Sequence, residues 1–141
     1  MNSANAIVFS DETKKPADLK QRTKDFAIRI VTFYRKLPRN EESRVIGKQI
    51  LRSGTSIGAD YCAACRAGSK AEFIAKIGIV LEEANETAFW LELLLQTKIF
   101  PPARINGLLK EANELTSIFV ACMRTSKGLS GNRQPCVTSA L

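Results

Sequence analysis

Two small groups of side chains have the types and spacing that a reactive site would need. The first is Cys62 and Cys65, a C-x-x-C on a predicted helix, where both thiols share one side and could begin a zinc site or a redox pair. A second ligand pair is lacking, because Cys122 and Cys136 are separated and not paired by spacing. A chain of this length can bury its own core, and a reducing compartment keeps thiols free, so we interpret all four cysteines as structural.

The second group is three glutamates, Glu82, Glu83 and Glu86, which lie close together on a predicted helix. They fall away from the apolar stripe of that helix, which indicates a solvated face. The chain has no histidine, which is the commonest general base and metal ligand. The Glu-x-x-His pairs of ferritin-like di-iron sites are therefore absent. We predict a protein without enzymatic activity, metal or cofactor.

The net charge of +7 is distributed unevenly along the chain. The segment from Lys14 to Arg52 has twelve basic and four acidic residues, a net charge of +8, whereas Ser69 to Lys98 has three basic and five acidic ones, a net charge of −2. A basic side and a mildly acidic side favour either a polyanion partner or complementary self-association. The alternative is a solvated surface that only keeps the protein soluble.

Two other kinds of site are disfavoured by their patterns. The run from Arg52 to Gly58 is rich in small residues, but it lacks the Gly-Lys-Ser/Thr ending of a phosphate-binding loop and no strand precedes it. No apolar run approaches the roughly 20 residues that cross a bilayer. The start of the chain lacks the basic-then-apolar order of a secretory signal. We predict a cytoplasmic protein that does not associate with membranes.

Apolar periodicity predicts four helices that position these side chains. Ser69 and Glu72 form a capping box at the start of the third helix. Pro38 stops the first helix, and Pro101 and Pro102 break the chain before the fourth. The predicted ranges are Asp18 to Leu37, about Asn40–Ser43 to Ala67, Ser69 to Thr97, and Ala103 to Ser126.

Three glycines, Gly47, Gly54 and Gly58, border the apolar face of the second helix. A glycine inside a helix costs roughly 1 kcal/mol relative to alanine. Removing side chains lets two backbones pack tightly, so we expect a neighbouring helix to approach closely here.

The last turns of the third helix are apolar nearly all round. Residues off its core stripe form the predicted subunit interface: Ile79, Phe89, Trp90, Leu93 and Leu94. A single four-helix bundle covers one stripe per helix, so this surplus indicates an oligomer. The alternative is that Trp90 and its neighbours pack beneath the segment Ala6 to Phe9 or the Phe100-Pro101-Pro102 turn.

Four amphipathic helices with short connections and no convincing strand predict an all-α protein, an antiparallel up-down four-helix bundle over residues 18–127. The N-terminal segment 1–17 is predicted to be flexible, and the C-terminal tail 128–141 is predicted to be disordered.

The run QILRSGTSIGADYCAACRAGSKAEFIAKIGIVLEEANETAFWLELL, preceded by DFAIRIVTFYRKLP, resembles the bacterial four-helix-bundle protein family encoded in intervening sequences of large-subunit ribosomal RNA genes. Accessory variability proteins of diversity-generating retroelements belong to the same broader group. The resemblance covers roughly Asp18 to Lys127. Its strongest element is a helix-two signature: Gln49, Arg52, Ser53, Gly54, Ser56, Ile57 and Ala59. The pattern from Lys76-Ile77 to Glu92-Leu93-Leu94 follows it.

The resemblance implies a cytoplasmic homopentameric ring of bundles with no established enzymatic activity. The retroelement relatives look like nucleic-acid-binding partners of a reverse transcriptase that use a basic surface. This chain departs from the family pattern at Asp60, where Asn is usual, at Cys62, where a polar or basic residue is common, and at Ala63, where Glu is common. A function that depends on this polar end of helix two would be altered here.

We therefore predict an oligomeric helical bundle that binds the backbone of RNA or DNA, or a nucleoprotein partner such as a reverse transcriptase, through helices one and two. Aromatic residues suited to base stacking are scarce on this surface, since Phe26, Phe33 and Tyr34 belong to the core stripe. The alternative is a scaffold whose charges serve subunit association, without nucleic-acid binding. The predicted binding residues are Lys20, Arg22, Lys24, Arg29, Arg35, Lys36, Arg39, Arg44, Lys48, Arg52 and Arg66.

Overall fold

Four helices account for nearly all of the computed structural model, which describes residues 16–128. The helices are α1 (Pro16–Arg35), α2 (Glu41–Cys65), α3 (Lys70–Gln96) and α4 (Pro102–Ser126). All four agree closely with the predicted ranges, and the described residues contain no strand. The predictions for segments 1–17 and 128–141 fall almost entirely outside the described residues. None of the helices within residues 16–128 has the length and apolar character that a membrane span requires.

The starts of α2 and α3 are fixed by side-chain caps. Asn40 Oδ1 accepts a hydrogen bond from the Ser43 N–H at 2.9 Å. Ser69 Oγ accepts from the Glu72 N–H at 3.1 Å, and Glu72 Oε1 accepts from the Gly68 N–H at 3.0 Å. The predicted capping box therefore forms, but its second donor is Gly68 rather than Ser69.

Helices α1 and α2 are antiparallel, and the contacts of three glycines show this directly. Gly47 lies against Tyr34, Gly54 against Ile30, and Gly58 against Thr23, so residue numbers rise along α2 as they fall along α1. Each helix packs extensively on the next, and a smaller α1–α4 contact closes the bundle. This is the predicted up-down arrangement.

The glycines of α2 bring that helix close to α1, as the sequence predicts. A methyl group at Gly54 would lie 2.8 Å from Ile30 Cγ1, and one at Gly58 would lie 3.3 Å from the Thr23 carbonyl oxygen. Ordinary side chains at these positions would push the helices apart. Tight packing thus offsets the cost of glycine in the helix interior.

A single apolar core runs through the bundle, with large side chains that are completely buried on every helix, among them Phe26, Ile57, Leu91 and Phe119. The core also contains a polar contact, because Ser53 Oγ of α2 and Thr87 Oγ1 of α3 lie 2.8 Å apart and both residues are fully buried. Helical carbonyl groups accept hydrogen bonds from these hydroxyls, so the pair is satisfied.

Candidate nucleic-acid interface

Most of the predicted binding residues are exposed basic side chains on α1, α2 and the loop between them. Ten of the eleven predicted residues are exposed, and nine of these ten have no carboxylate partner within ion-pair distance among the described residues. These nine, which we call the basic surface, are Lys20, Lys24, Arg29, Arg35, Lys36, Arg39, Arg44, Lys48 and Arg66.

Arg22 is one of the two exceptions. Its Nε donates to Glu111 Oε2 at 2.8 Å, and its Nη2 donates to Glu111 Oε1 at 2.9 Å and to Glu114 Oε1 at 2.8 Å. Only a quarter of the Arg22 side chain is exposed. Hydrogen bonding to Glu111 raises the pKa of Arg22 above its ordinary value. Two carboxylates of α4 already neutralise this guanidinium, so it joins α1 to α4 rather than facing a phosphate.

Arg52 is the second exception. Its guanidinium contacts Glu86 and, at 3.3 Å, Glu83 on α3. The hydrogen bond from Arg52 lowers the pKa of Glu86, and a second one from Trp90 Nε1, at 3.2 Å, lowers it further. Burial raises the pKa of Glu83 despite the nearby Arg52. Two of the three glutamates expected on a solvated face therefore form an ion-pair network between α2 and α3, and only Glu82 stays exposed and outside it.

The antiparallel register divides the basic surface into groups. Arg29 follows Arg22 at seven-residue spacing on the side of α1 that faces α4, where its guanidinium lies beside Gly107. Lys36 lies a further seven residues on, just past the end of α1. The remaining seven line the α1–α2 pair. Lys20, Lys24 and Arg66 lie at one end of that pair, and Arg35, Arg39, Arg44 and Lys48 lie at the other.

The predicted subunit interface is in large part an exposed apolar surface. Phe89 is 56% exposed and Ile79 is 45% exposed, while Trp90 and Leu93 are half-buried. The rings of Phe89 and Trp90 make an edge-on contact with centroids 5.0 Å apart. We call Ile79, Phe89, Trp90 and Leu93 the outer apolar stripe of α3.

Leu94 is the one predicted interface residue that the structure places elsewhere. The sequence pattern assigns it to the interface, and this assignment is wrong, because Leu94 is completely buried in the bundle core. Leu94 follows Thr87 by two helical turns on the side of α3 that faces α2, so the neighbouring helix covers it. A helix with a neighbour on each flank buries a wider arc than the single stripe expected from the sequence.

The alternative cover for Trp90 is only partly within the described residues. Phe100 packs edge-on against Phe33 of α1, with ring centroids 5.4 Å apart, and the Arg104 guanidinium lies over its ring. Phe100 therefore faces α1, which is diagonal to α3 in the bundle. The segment Ala6 to Phe9, the other proposed cover, lies outside the described residues.

The cysteines of α2 and α4 lie at one end of the bundle. Cys62, Cys65 and Cys122 are free and half-buried. Burial raises the pKa of the Cys122 thiol, which lowers the thiolate fraction and the nucleophilicity at neutral pH. Among the described residues, no group of three or more Cys, Asp or Glu side chains is arranged to hold a metal ion.

Comparison with known proteins places this bundle in a family. The family model described as 23S rRNA-intervening sequence protein matches residues 15–121, which include α1, α2, α3 and most of α4. The chain belongs to the 23S rRNA-intervening sequence protein family. This family assignment confirms the resemblance seen in the sequence. No curated protein matches the chain.

A solved structure supports the same assignment to the 23S rRNA-intervening sequence protein family. The chain is similar to a protein with unknown function from the S23 ribosomal protein family of Bacteroides thetaiotaomicron VPI-5482. The two chains are 38% identical, the TM-score is 0.72, and the alignment covers 77% of this chain and 97% of the other. The match confirms the all-α fold class.

The helix-two signature that carries the family resemblance consists mainly of packing residues. Ser53, Gly54 and Ile57 are buried, whereas Arg52 is exposed and pairs with α3. The three departures from the family pattern, Asp60, Cys62 and Ala63, are all half-buried near the end of α2.

Sequence reasoning missed the carboxylate partners Glu111 and Glu114, because no local pattern indicates a pair formed across the whole chain. It also gave no role to Ser43, whose surroundings depend on the corner between α1 and α2.

Proposed function

We propose that the protein binds the phosphate backbone of RNA or DNA, alone or within a nucleoprotein, through the basic surface. The observation that carries this proposal is the exposure of nine basic side chains with no carboxylate partner among the described residues. Such side chains can neutralise phosphates and release counterions, which gives salt-dependent binding without base readout. The homopentameric ring that the family resemblance implies would repeat the basic surface on every subunit and add avidity.

The scaffold alternative, in which acidic α3 meets the basic helices of a neighbouring subunit, has less support. Glu83 and Glu86 already pair with Arg52 of their own chain. The glutamates of α3 that remain exposed are Glu72, Glu82 and Glu92, too few to neutralise nine basic residues. The charge of the basic surface is therefore better matched by a polyanion.

The second part of the proposal is that the protein acts as a cytoplasmic homo-oligomer without enzymatic activity. The outer apolar stripe of α3 supports an oligomer, because an exposed phenylalanine, an exposed isoleucine and a half-buried tryptophan share one face of a helix. Val45 of α2 is also 52% exposed, and the Ser53–Thr87 contact places it level with the end of α3. The family resemblance leads us to expect five subunits.

Salt titration tests the nucleic-acid part. We expect single-stranded RNA and duplex DNA to bind at low salt, with log Kobs falling linearly against log salt by about 0.7 to 0.9 per neutralised phosphate. Lys24→Gln should weaken binding to all sequences equally and reduce the slope by about 1, because one fewer phosphate is neutralised. Fluorescence anisotropy with labelled oligonucleotides measures both.

The matched control is Lys70→Gln, which removes the same charge from an exposed position on α3 outside the basic surface. We expect it to leave affinity and slope close to those of the wild type. An intact oligomer that binds neither nucleic acid at low salt would refute the proposal. Oligomer dissociation at high salt, together with no polyanion binding, would favour the scaffold.

A further inference from the structure

A cavity of about 660 Å³ opens at the corner where α1 ends and α2 begins. We call it the corner cavity. Its wall combines the end of α1 with the connecting loop and the first turn of α2, including Tyr34 and Pro38. Its volume lies within the range of about 300–1,000 Å³ that is usual for ligand pockets.

The corner cavity is strongly basic. Arg35, Arg39 and Arg44 line it, and Glu41 is the only acidic residue in its wall among the described residues, which together carry a net charge of +2. None of the three arginines has a carboxylate within ion-pair distance among the side chains of the described residues. A guanidinium presents a planar fork of donors that fits phosphate geometry.

The start of α2 contributes further donors. The first N–H groups of a helix have no partner within the helix, and the helix dipole favours an anion there. The side chain of Asn40 accepts a hydrogen bond from the Ser43 N–H, and the carbonyl group of Asn40 accepts one from the Arg44 N–H. The N–H groups of Glu41 and Glu42 belong to this same exposed first turn.

Ser43 provides an independent indication of a ligand. It lines the corner cavity and is completely buried, yet its Oγ has no hydrogen-bond partner. Only one other buried side-chain polar atom within residues 19–128, Arg124 Nε, shares this property. Buried hydroxyl groups are almost always paired, so the Ser43 hydroxyl is an unused hydrogen-bond donor behind the cavity wall, beside three arginines.

We infer that the corner cavity binds a phosphate group, carried by a nucleic-acid strand end or by a free nucleotide. This inference rests on the proposed function, which it deepens by naming a terminal phosphate as a recognised chemical group. Guanidinium groups of Arg35, Arg39 and Arg44 neutralise the phosphate, and the hydroxyl of Ser43 donates to one of its oxygens once side chains of the cavity wall move and uncover it. The lysines of the basic surface face open solvent instead, where a continuous backbone can pass.

Calorimetric titration with inorganic phosphate and with adenosine 5′-monophosphate tests the inference. We expect the nucleotide to bind the wild type and unphosphorylated adenosine not to bind. Arg39→Gln should weaken nucleotide affinity about tenfold or more, because it removes a hydrogen bond to a charged group. Lys70→Gln, with the same loss of charge outside the corner cavity, should bind as the wild type does. Equal affinity in Arg39→Gln and Lys70→Gln would overturn the inference.

Ser43→Ala separates a ligand role from a purely structural one. The substitution removes an unpaired buried hydroxyl, so the melting temperature of the ligand-free protein should rise while phosphate affinity falls. A fall in the melting temperature would show that the hydroxyl is satisfied within the protein, and unchanged phosphate affinity would show that it does not contact the ligand. Either result would overturn the role of Ser43.

Oligonucleotides with and without a 5′-phosphate distinguish a strand end from a free nucleotide as the source of the phosphate. The measurement is made at a salt concentration that suppresses binding of the nucleic-acid backbone. A preference of tenfold or more for the phosphorylated end, abolished in Arg39→Gln, identifies the strand end. Nucleotide binding without that preference identifies a free nucleotide. Binding of long RNA without any response to phosphate, nucleotide or strand end refutes this inference alone, whereas nucleotide binding without RNA binding refutes the proposed function alone.

Discussion

At the scale of single residues, Glu86 connects a charge on α2 with the only tryptophan of the chain. It accepts hydrogen bonds from Arg52 and from Trp90 Nε1, and both lower its pKa. Because the folded-state pKa lies below the unfolded value, this carboxylate stabilises the fold at neutral pH. That stabilisation is lost as the pH falls through the folded-state pKa.

The fluorescence of Trp90 should therefore report the protonation of Glu86. We expect its emission to change on acidification with a midpoint below 4.5, the ordinary value for a glutamate. Burial raises the pKa of Glu83, which takes up its proton at a higher pH. The Glu86→Gln protein should lack the low-pH step, and the Glu83→Gln protein should keep it. A midpoint at or above 4.5, or a step that survives in Glu86→Gln, would contradict this assignment.

At the scale of elements, the glycines of α2 set the distance between two helices. Ile30 is completely buried, and its three outer carbon atoms lie within 3.1 Å of where a Gly54 methyl group would be. Gly78 of α3 is a contrasting case, since the nearest atom to its methyl position is the flexible end of Met123, at 3.6 Å.

We expect Gly54→Ala to lower the free energy of unfolding and Gly78→Ala to raise it. Overpacking against Ile30 should cost about 1–3 kcal/mol, which outweighs the helix-propensity gain of about 1 kcal/mol. At Gly78 only the gain in helix propensity applies, so the Gly78→Ala protein should be more stable by up to about 1 kcal/mol. Urea denaturation of the two variants measures the difference. Equal effects would show that helix propensity, not close packing, decides the role of Gly54.

The helices could be predicted because their signals are local. Asn40 and Ser69 mark helix starts, Pro38 marks an end, and apolar residues at helical spacing mark the inner faces. Whether a residue at the edge of an apolar stripe faces the core or the solvent depends on the neighbouring helices, so the sequence pattern misplaces Leu94.

The candidate binding surface could be predicted only in outline, because its charges depend on contacts made across the chain. The basic residues could be counted, but the carboxylates that neutralise Arg22 lie on α4, 89 and 92 residues away. The unpaired hydroxyl of Ser43 likewise has no sequence signature, because its burial arises where α1 and α2 meet.

At the scale of the whole molecule, the outer apolar stripe of α3 and the basic surface lie on different parts of the bundle. Phe89 and Trp90 are on α3, which is diagonal to α1 and its lysines. An interface through α3 would therefore leave most of the basic surface exposed in every subunit. Assembly and nucleic-acid binding are compatible in this arrangement.

Light scattering on two matched variants tests the assembly. We expect a wild-type mass of five times the 15.6 kDa chain. Phe89→Gln should dissociate on dilution, since it removes apolar contact area from the proposed interface, and its Trp90 emission should shift to the red. Ile28→Gln replaces an apolar residue that is likewise 56% exposed, but on α1, so it should keep the wild-type mass.

Both substitutions fall on exposed side chains, so neither should unfold the bundle, and circular dichroism can verify this. A monomeric wild type would refute the assembly altogether. Dissociation of Ile28→Gln with retention of mass in Phe89→Gln would place the interface on α1, where it would cover part of the basic surface. The two variants thus decide whether nucleic acid and a neighbouring subunit bind different faces or compete for the same one.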